Sequence, residues 1–263
     1  MPILRVGNQS IHYEVEGEGP PLLLIHGHGA SSAYWDLQVP AFASSYRVIR
    51  FDLRGHGDSD KPEGPYTIEA MAADAAGLLR ELAPQKQAHV IGHSLGGGVA
   101  LQLALAAPDK VRSLVIANSQ ASFVPRSLVE RLVFSLSRVI PRLFGFRAHA
   151  KTIVAGYLPA PQHAERRARF LELWVKNDLQ GYLRSSLGSN AFDIRSRLGE
   201  IKQPTLVIGS DQDILPQANK QELVEKMPNA RLVTIKDSRH LVVWDQAEAF
   251  NRTVLDFLSG LGG

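Results

Sequence analysis

The residues that could do chemistry are centred on a serine, Ser94, in the stretch G-H-S-L-G at residues 92–96. An apolar run precedes it and predicts a strand, whereas residues 99–105 predict a helix. A serine on the sharp turn between a strand and a helix projects its hydroxyl clear of both elements, with the helix N-terminus behind it. Glycines at positions 92 and 96 fit this interpretation, because a Cβ at either would crowd the turn. The alternative is a glycine-rich helix start with an incidental serine, since short G-x-S-x-G matches arise by chance.

This pattern resembles the nucleophile elbow of the α/β-hydrolase family. Further motifs follow in the family order: H-G-H-G at 26–29, D-L-R-G-H-G-D-S-D at 52–60, G-H-S-L-G-G at 92–97, and a late Asp and His. The resemblance spans essentially the whole chain and implies Ser-His-Asp chemistry with Ser94 as nucleophile. It also implies that residues 54–60 form a structural turn, so His56 is not a catalytic candidate. Dehalogenases and epoxide hydrolases of this fold carry Asp at the elbow, and Ser94 argues against both.

A serine hydroxyl needs a general base within hydrogen-bond reach, and that base needs an acid to fix its tautomer. The family order along the chain is Ser, then Asp or Glu, then His. Of the nine histidines, the only late one is His240, just after a predicted strand and at the sheet edge where Ser94 must lie. We therefore predict that His240 is the general base.

Two aspartates, Asp211 and Asp213, follow the strand predicted at residues 204–210, where the family carries its acid. Family loops usually place the acid three or four residues before a proline, and Asp213 precedes Pro216 by three. Asp211 is one residue nearer the strand than is usual and could instead cap the loop through an Asx turn. We predict Asp213 as the acid, with Asp211 as the alternative. Asn118 lies where some relatives carry the acid, but a neutral amide cannot serve.

The oxyanion of an acyl-transfer intermediate needs two preorganised donors, and losing one typically costs on the order of 10²–10³ in rate. By the family match, these donors are the backbone N–H groups of Leu95 and His28. His26 is predicted to be a structural histidine that braces its loop. The H-x-H spacing of His26 and His28 could hold a metal on a strand, but the flanking glycines and the lack of further ligands argue against it. We therefore predict no metal and no cofactor.

The composition is that of an ordinary globular protein: 263 residues, 44% hydrophobic and 21% charged. This length suits one large α/β domain with an insertion, or two domains at most. The absence of cysteine excludes disulfides and a cysteine nucleophile. No run has the length of a membrane span, and residues 1–17 lack the basic-then-apolar order of a signal peptide, so a cytoplasmic location is expected. The net charge of +3 is too small to indicate nucleic-acid binding.

The elements that must position these residues alternate between strands and helices. Two strands that turn at Gly7-Asn8 are predicted within residues 2–16. Further strands are predicted directly before Ser94 and at residues 22–25, 46–52, 111–118, 204–210 and 230–236. Helices are predicted directly after Ser94, at residues 68–82, near 217–227 and near 244–259. Alternation of this kind, with strands that are apolar on both faces, is typical of a doubly wound, mostly parallel sheet of about eight strands.

The alternation stops between residues 120 and 200, where only helices are predicted. We interpret this segment as a helical cap inserted after the sixth strand and covering Ser94, with residues 1–119 and 201–263 forming the core domain. Phe123 and Trp174 are candidates for lining the pocket, or else plain cap core. The helix near residues 128–146 is apolar around much of its surface, so it is predicted to face the pocket or a partner subunit, which gives a homodimer through the cap.

The cap is also basic, with 13 Lys and Arg residues against 6 Asp and Glu. The simpler interpretation is a solvated outer helix face. The alternative is electrostatic attraction of anionic substrates or of an acidic lipid surface.

Together these features predict a serine carboxylesterase that cleaves small-molecule hydrophobic esters with short-to-medium acyl groups through an acyl-enzyme. A lactonase, a C–C bond hydrolase and a perhydrolase would use the same triad and remain alternatives. A function of another class is a ligand receptor that keeps the triad and signals by cap movement. The complete triad and both oxyanion positions favour turnover instead.

Overall fold

Within residues 2–262, one sheet of eight strands organises the molecule, in the spatial order β1-β2-β4-β3-β5-β6-β7-β8. The computed structural model describes residues 2–262, so Met1 and Gly263, the outermost residues of the predicted core domain, lie outside the described residues. The strands are β1 (Ile3–Val6), β2 (Gln9–Glu16), β3 (Pro21–Ile25), β4 (Arg47–Phe51), β5 (Ala88–His93), β6 (Val111–Ala117), β7 (Thr205–Ser210) and β8 (Ala230–Ile235). β2 pairs antiparallel with β1 and β4, and every other neighbouring pair is parallel. The predicted eight-stranded, mostly parallel sheet is confirmed.

Helices cover both faces of this sheet. They are α1 (Val39–Phe42), α2 (Ile68–Leu82), α3 (Leu95–Ala106), α4 (Leu128–Phe144), α5 (Phe146–Tyr157), α6 (Ala164–Val175), α7 (Leu179–Ser189), α8 (Gln217–Lys226), α9 (Val242–Asp245) and α10 (Ala247–Ser259). Side chains alternate across a strand, so Leu23 and Ile25 of β3 join the core under α2 and α3, while Leu22 and Leu24 join the core under α10. Because both faces are buried, the central strands are apolar runs rather than alternating ones.

The last helical segment differs from its prediction in one respect. A single helix was expected near residues 244–259, but the structure has α9 and α10 separated at Gln246. The backbone of Gln246, at φ −125° and ψ 46°, is not helical and therefore ends α9.

Four helices, α4 to α7, lie between β6 and β7, where the sequence predicted an inserted cap after the sixth strand. The two ends of this segment are paired with each other: the N–H of Phe123 donates to Phe192 O at 2.9 Å, and the N–H of Ile194 donates to Ala121 O at 3.0 Å. The segment therefore leaves and rejoins the sheet at one place. The division of the chain into a core and a cap at residues 120 and 200 stays a prediction.

The motif at residues 52–60 is braced by a buried carboxylate. Asp52 accepts hydrogen bonds from the Ser32 N–H at 2.5 Å, the Asp58 N–H at 2.8 Å and the His12 ring at 3.0 Å. Burial raises the pKa of Asp52, but the hydrogen bond from His12, together with the charges and N–H groups around it, outweighs burial and sets that pKa at about 2. The carboxylate is therefore ionised and ties β2 to the loops that follow β3 and β4.

Within residues 2–262, no helix combines the length and the apolar character that crossing a membrane requires.

Candidate active site

Ser94 lies on the turn between β5 and α3 in an unusual backbone conformation, with φ 53° and ψ −117°. Positive φ is strained for a residue with a side chain and persists only where the surroundings impose it. Two hydrogen bonds do so: the Ser94 N–H donates to Ala117 O at 3.0 Å, and Ser119 Oγ donates to Ser94 O at 2.6 Å. The turn is thus held against the end of β6.

The glycines at 92 and 96 are required as the sequence predicted. A Cβ on Gly92 would lie 2.2 Å from Gly96 O, and a Cβ on Gly96 would lie 2.2 Å from Ile25 O. Both distances are far below van der Waals contact with backbone atoms that cannot move aside. Strand β5, the turn and strand β3 therefore approach each other only because these two side chains are absent.

The structure brings the three predicted catalytic side chains together. His240 Nε2 lies 3.0 Å from Ser94 Oγ, and His240 Nδ1 lies 2.7 Å from Asp213 Oδ1. A carboxylate accepts, so Nδ1 carries the proton and Nε2 is left to accept the serine proton. His240 and Asp213 are both buried, which excludes competing water from this chain of hydrogen bonds.

Asp211, the alternative acid, lies away from His240 and contacts its loop instead. Its carboxylate accepts hydrogen bonds from the backbone N–H groups of Asp237 and Ser238, both at 3.1 Å. The backbone N–H of Ser238, followed by that of Asp237, lowers the pKa of Asp211. The Asx turn considered for Asp211 is replaced by a bridge to the loop that carries His240.

Asp213 is ionised despite its burial. Burial alone raises its pKa, but the hydrogen bond from His240 and the positive charges of His240 and Lys220 outweigh it, and the pKa is about 2. Lys220 of α8 is fully buried and its ammonium donates to Asp213 Oδ2. Sequence reasoning missed Lys220. The available signal was its place on the same helix face as the buried Leu223, where a charge needs a partner.

Asn118, excluded as an acid, joins the loops that carry the other residues. Its Nδ2 donates to Ser210 Oγ at 2.8 Å and to the carbonyls of Arg239 and His240 at 3.0 Å each, and its Oδ1 accepts from the Ser210 N–H at 3.0 Å. The end of β6 is thereby fastened to the end of β7 and to the His240 loop. Sequence reasoning missed this role because its partners are backbone carbonyls that no motif encodes.

His93, next to Ser94, holds the backbone of His240. Its Nε2 donates to His240 O at 2.7 Å, so its Nδ1 accepts from Tyr34 Oη at 3.1 Å. Burial, reinforced by the charge of His240, lowers the pKa of His93 to about 3, and its ring is therefore neutral. This residue was also missed from the sequence.

The two predicted oxyanion donors lie beside Ser94. A Cβ built on Gly27 would be 3.3 Å from Ser94 Cβ, so the loop carrying His28 lies against the nucleophile. Among the hydrogen bonds formed by residues 2–262, neither the His28 nor the Leu95 backbone N–H has an acceptor. The His28 ring is neutral because burial lowers its pKa to about 4, and it donates to Tyr182 O at 2.9 Å while stacking on the Tyr182 ring.

His26 braces the same loop, as predicted. Its Nδ1 donates to Gly27 O at 2.8 Å, and its Nε2 accepts from the Leu53 N–H at 3.0 Å. Both ring nitrogens are thus engaged with the backbone, one of them across to the loop after β4.

A small cavity of about 30 Å³ adjoins Ser94. Four aromatic side chains line it: Tyr34, Tyr157, Phe170 and Trp174. A cavity needs roughly 10–15 Å³ to hold one water molecule, so this one is small. Of the two candidate lining residues, Trp174 lies at the cavity, whereas Phe123 packs against Phe192 with ring centroids 5.7 Å apart and is outside its lining.

The sequence profile of the family described as the alpha/beta hydrolase fold matches residues 20–247. The chain therefore belongs to the α/β-hydrolase family, and it is a hydrolase.

Two curated relatives and one solved structure illustrate the range of its similarities. It is 33% identical to RutD of Azorhizobium caulinodans, a protein named as a carbamate hydrolase, covering 98% of each chain. It is 30% identical to a pimeloyl-[acyl-carrier protein] methyl ester esterase of Aeromonas hydrophila, covering 95% of this chain and 99% of the relative. The enol-lactonase of Burkholderia xenovorans superposes with a TM-score of 0.89 at 30% identity, over 98% of this chain and all of the other.

Proposed function

We propose that this protein hydrolyses carboxylic esters through an acyl-enzyme on Ser94. The observation that carries the proposal is the continuous chain of hydrogen bonds from Ser94 Oγ through both nitrogens of His240 to the ionised Asp213. This arrangement can make a serine hydroxyl nucleophilic at neutral pH, because the imidazole takes its proton and the carboxylate stabilises the imidazolium.

In the proposed mechanism, Ser94 Oγ attacks the ester carbonyl carbon while His240 Nε2 takes the serine proton. The oxyanion of the tetrahedral intermediate is held by the backbone N–H groups of Leu95 and His28. As the intermediate collapses, the C–O bond to the alcohol breaks and His240 returns the proton to the departing oxygen. Water then attacks the acyl-enzyme, with His240 taking its proton, and the acid leaves with Ser94 restored.

The size of the cavity supports short acyl groups. The cavity is small and four aromatic rings line it beside Ser94, which favours a compact acyl group. A longer acyl chain would have to displace Trp174 or Phe170. The proposed substrates are therefore small hydrophobic esters with the acyl group at the short end of the expected range.

A lactone is the second candidate substrate. The enol-lactonase is as similar in sequence as the methyl ester esterase and superposes over nearly the whole chain. A lactone is an internal ester, so the same steps apply, with the alcohol remaining attached to the acyl group. The similarity to RutD, which is named as a carbamate hydrolase, makes carbamates a further class of substrate to compare.

The test is turnover of p-nitrophenyl esters from acetate to octanoate, beside an enol-lactone, an aryl carbamate and a ring-cleavage dienoate for the C–C alternative. We expect a maximum at acetate or butyrate and loss of about 10⁶ in kcat in Ser94→Ala, since the triad acts as a unit. Unfolding of Ser94→Ala is followed in parallel and should match the wild type within about 1 kcal/mol. Undiminished turnover in Ser94→Ala would contradict the mechanism.

Fast reaction of the lactone, the carbamate or the dienoate beside slow esters would keep Ser94 in its role and replace the substrate. One turnover followed by a stable adduct would favour the receptor alternative.

A further inference from the structure

A buried lysine stands directly behind the predicted catalytic acid. The Lys220 side chain is fully buried, and its ammonium donates to Asp213 Oδ2 and, at 2.7 Å, to Leu215 O. Burying an ammonium is costly unless it is paired and hydrogen-bonded, so this position constrains the residue. A methionine or leucine would fill the same space beside Leu223 without that cost.

The Asp213 carboxylate is shared between two hydrogen-bond donors. Oδ1 faces His240 Nδ1 and Oδ2 faces the Lys220 ammonium. Among the contacts of residues 2–262, no other group donates to this carboxylate. Lys220 therefore fixes the rotation of the Asp213 carboxylate about its Cβ–Cγ bond. This rotation sets the direction from which Oδ1 contacts His240.

We infer that Lys220 is a positioning residue for catalysis, which orients the Asp213 carboxylate toward His240. The inference rests on the proposed function. Its physical basis is that the two carboxylate oxygens are held by different partners, Oδ1 by His240 and Oδ2 by Lys220. The charge of Lys220 has a second effect, because a carboxylate already paired with an ammonium attracts another positive charge less strongly. Removing the ammonium should therefore move the ascending limb of the pH–rate profile to higher pH.

The other groups around His240 do not reproduce this effect. The His93 ring, 5.0 Å away on β5, is neutral because burial lowers its pKa to about 3. The Tyr157 ring, 5.0 Å away on α5, is neutral because burial raises its pKa. Asp245, whose pKa burial raises to about 6, contacts the Arg239 N–H and is retained in every variant below.

The experiment compares three variants. Lys220→Met removes both the charge and the donor, Lys220→Gln removes the charge and keeps a donor, and Lys226→Met removes an exposed lysine of the same helix that pairs with Glu222. For each variant, kcat and KM for p-nitrophenyl acetate are measured from pH 4 to 9. Rates are expressed per site labelled at Ser94 by a fluorophosphonate, and the downfield proton resonance of the His240–Asp213 hydrogen bond is recorded by NMR.

In Lys220→Met we expect kcat to fall by about 10²-fold through misplacement of the acid, with little change in KM. The midpoint of the ascending limb of kcat/KM should rise by about one pH unit, and the downfield resonance should shift or broaden. Lys220→Gln should recover most of kcat, because its amide can donate to Oδ2, and should retain the raised midpoint. Lys226→Met should behave as the wild type.

Wild-type kcat and midpoint per labelled site in Lys220→Met would overturn the inference. Should that variant fail to fold, Lys220→Gln carries the test, and a wild-type midpoint there overturns the role of the charge. Failure of the proposed function is distinct: the wild type would then show neither labelling of Ser94 nor ester turnover.

Discussion

Ser94 and its partners show how much of a site can be predicted at the scale of single residues. The turn at Ser94 is predictable because close backbone contacts require glycine at positions 92 and 96, and these glycines are visible in the sequence. Asp213 could be ranked above Asp211 only by its spacing to Pro216, and their different contacts emerge only when the loops fold together. Asn118 and His93 were not predictable, since each acts on a partner far away in the chain. Lys220 is only seven residues from Asp213, but their contact depends on how the loop before α8 folds.

The two aspartates differ in what their loss should cost. Asp213→Asn should lower kcat by about 10⁴, because an amide favours the wrong tautomer of His240. It should also lower the free energy of unfolding by about 3 kcal/mol, since Lys220 is left buried without a counter-ion. Asp211→Asn is the matched control and should lose less than about tenfold in kcat. The measurements are ester kinetics and denaturant unfolding, and a larger kinetic loss in Asp211→Asn would reverse the assignment of the acid.

Asp52 should make stability depend on pH in the acid range. Its pKa in the folded protein is about 2, below the unfolded value of 3.8, so its stabilisation is present above pH 3.8 and is lost as the pH falls toward 2. Asp52→Asn should remove about 2 kcal/mol at pH 7 and flatten the pH dependence of unfolding between pH 4 and 2. Asp256→Asn, at an exposed position, is the control. Urea unfolding across this range provides the measurement, and an unchanged slope in Asp52→Asn would contradict the prediction.

At the scale of elements, the core strands and helices were predictable because burial imposes a pattern on them. β3, β5 and β7 are buried at every residue and read as apolar runs. α2 begins after Thr67, whose hydroxyl accepts the Ala70 N–H at 3.2 Å, and its apolar residues recur at helical spacing. The inserted helices carry a weaker signal, because they pack on one another and on loops rather than on the sheet.

Helix α4 exposes many apolar side chains that no other part of the described structure covers. Its only fully buried residue is Pro141, although it is rich in apolar side chains. Eight large apolar residues of this helix are exposed: Leu128, Val129, Leu132, Val133, Leu136, Val139, Leu143 and Phe144. Helical spacing places these residues on one face of α4. A monomer usually exposes a smaller continuous apolar surface than this face presents. The predicted homodimer through the cap would use this face.

The homodimer is tested by replacing two residues of that face. If it forms, Leu132→Glu combined with Leu136→Glu should convert a dimer to a monomer in light scattering, because the introduced charges would be buried at the contact. Ile3→Glu, an equally exposed apolar position on β1, should leave the mass unchanged. A monomeric wild type at micromolar concentration would contradict the prediction.

At the scale of the whole molecule, the sheet supplies Ser94, Asp213 and His240 from one edge, and the inserted helices close over them. Trp174 of α6 and Tyr157 of α5 line the cavity beside a nucleophile that belongs to the sheet. The candidate catalytic side chains, which lie together in the structure, could therefore be predicted from motifs in the core. The shape of the substrate pocket could not, since it depends on how helices without a motif dock on that edge.

Enlarging the cavity should change the preferred acyl group. Trp174→Leu should raise the ratio of kcat/KM for butyrate to that for acetate by about tenfold, because each added methylene gains space in an apolar pocket. Phe123→Leu also shortens an aromatic side chain of the cap segment, but outside the cavity lining, and should leave the ratio unchanged. Initial rates on the p-nitrophenyl series give the ratio, and equal ratios in the two variants would show that Trp174 does not limit the acyl group.

The paired ends of the inserted segment have a consequence for engineering. The backbone hydrogen bonds of Phe123 to Phe192 and of Ile194 to Ala121 close the segment at its base, so residues 124–191 form a loop whose two stems already touch. A segment from another protein with the same stem spacing could be grafted there without altering the register of β6 and β7. Substrate preference would then become transplantable, while Ser94, His240 and Asp213 stay with the recipient scaffold.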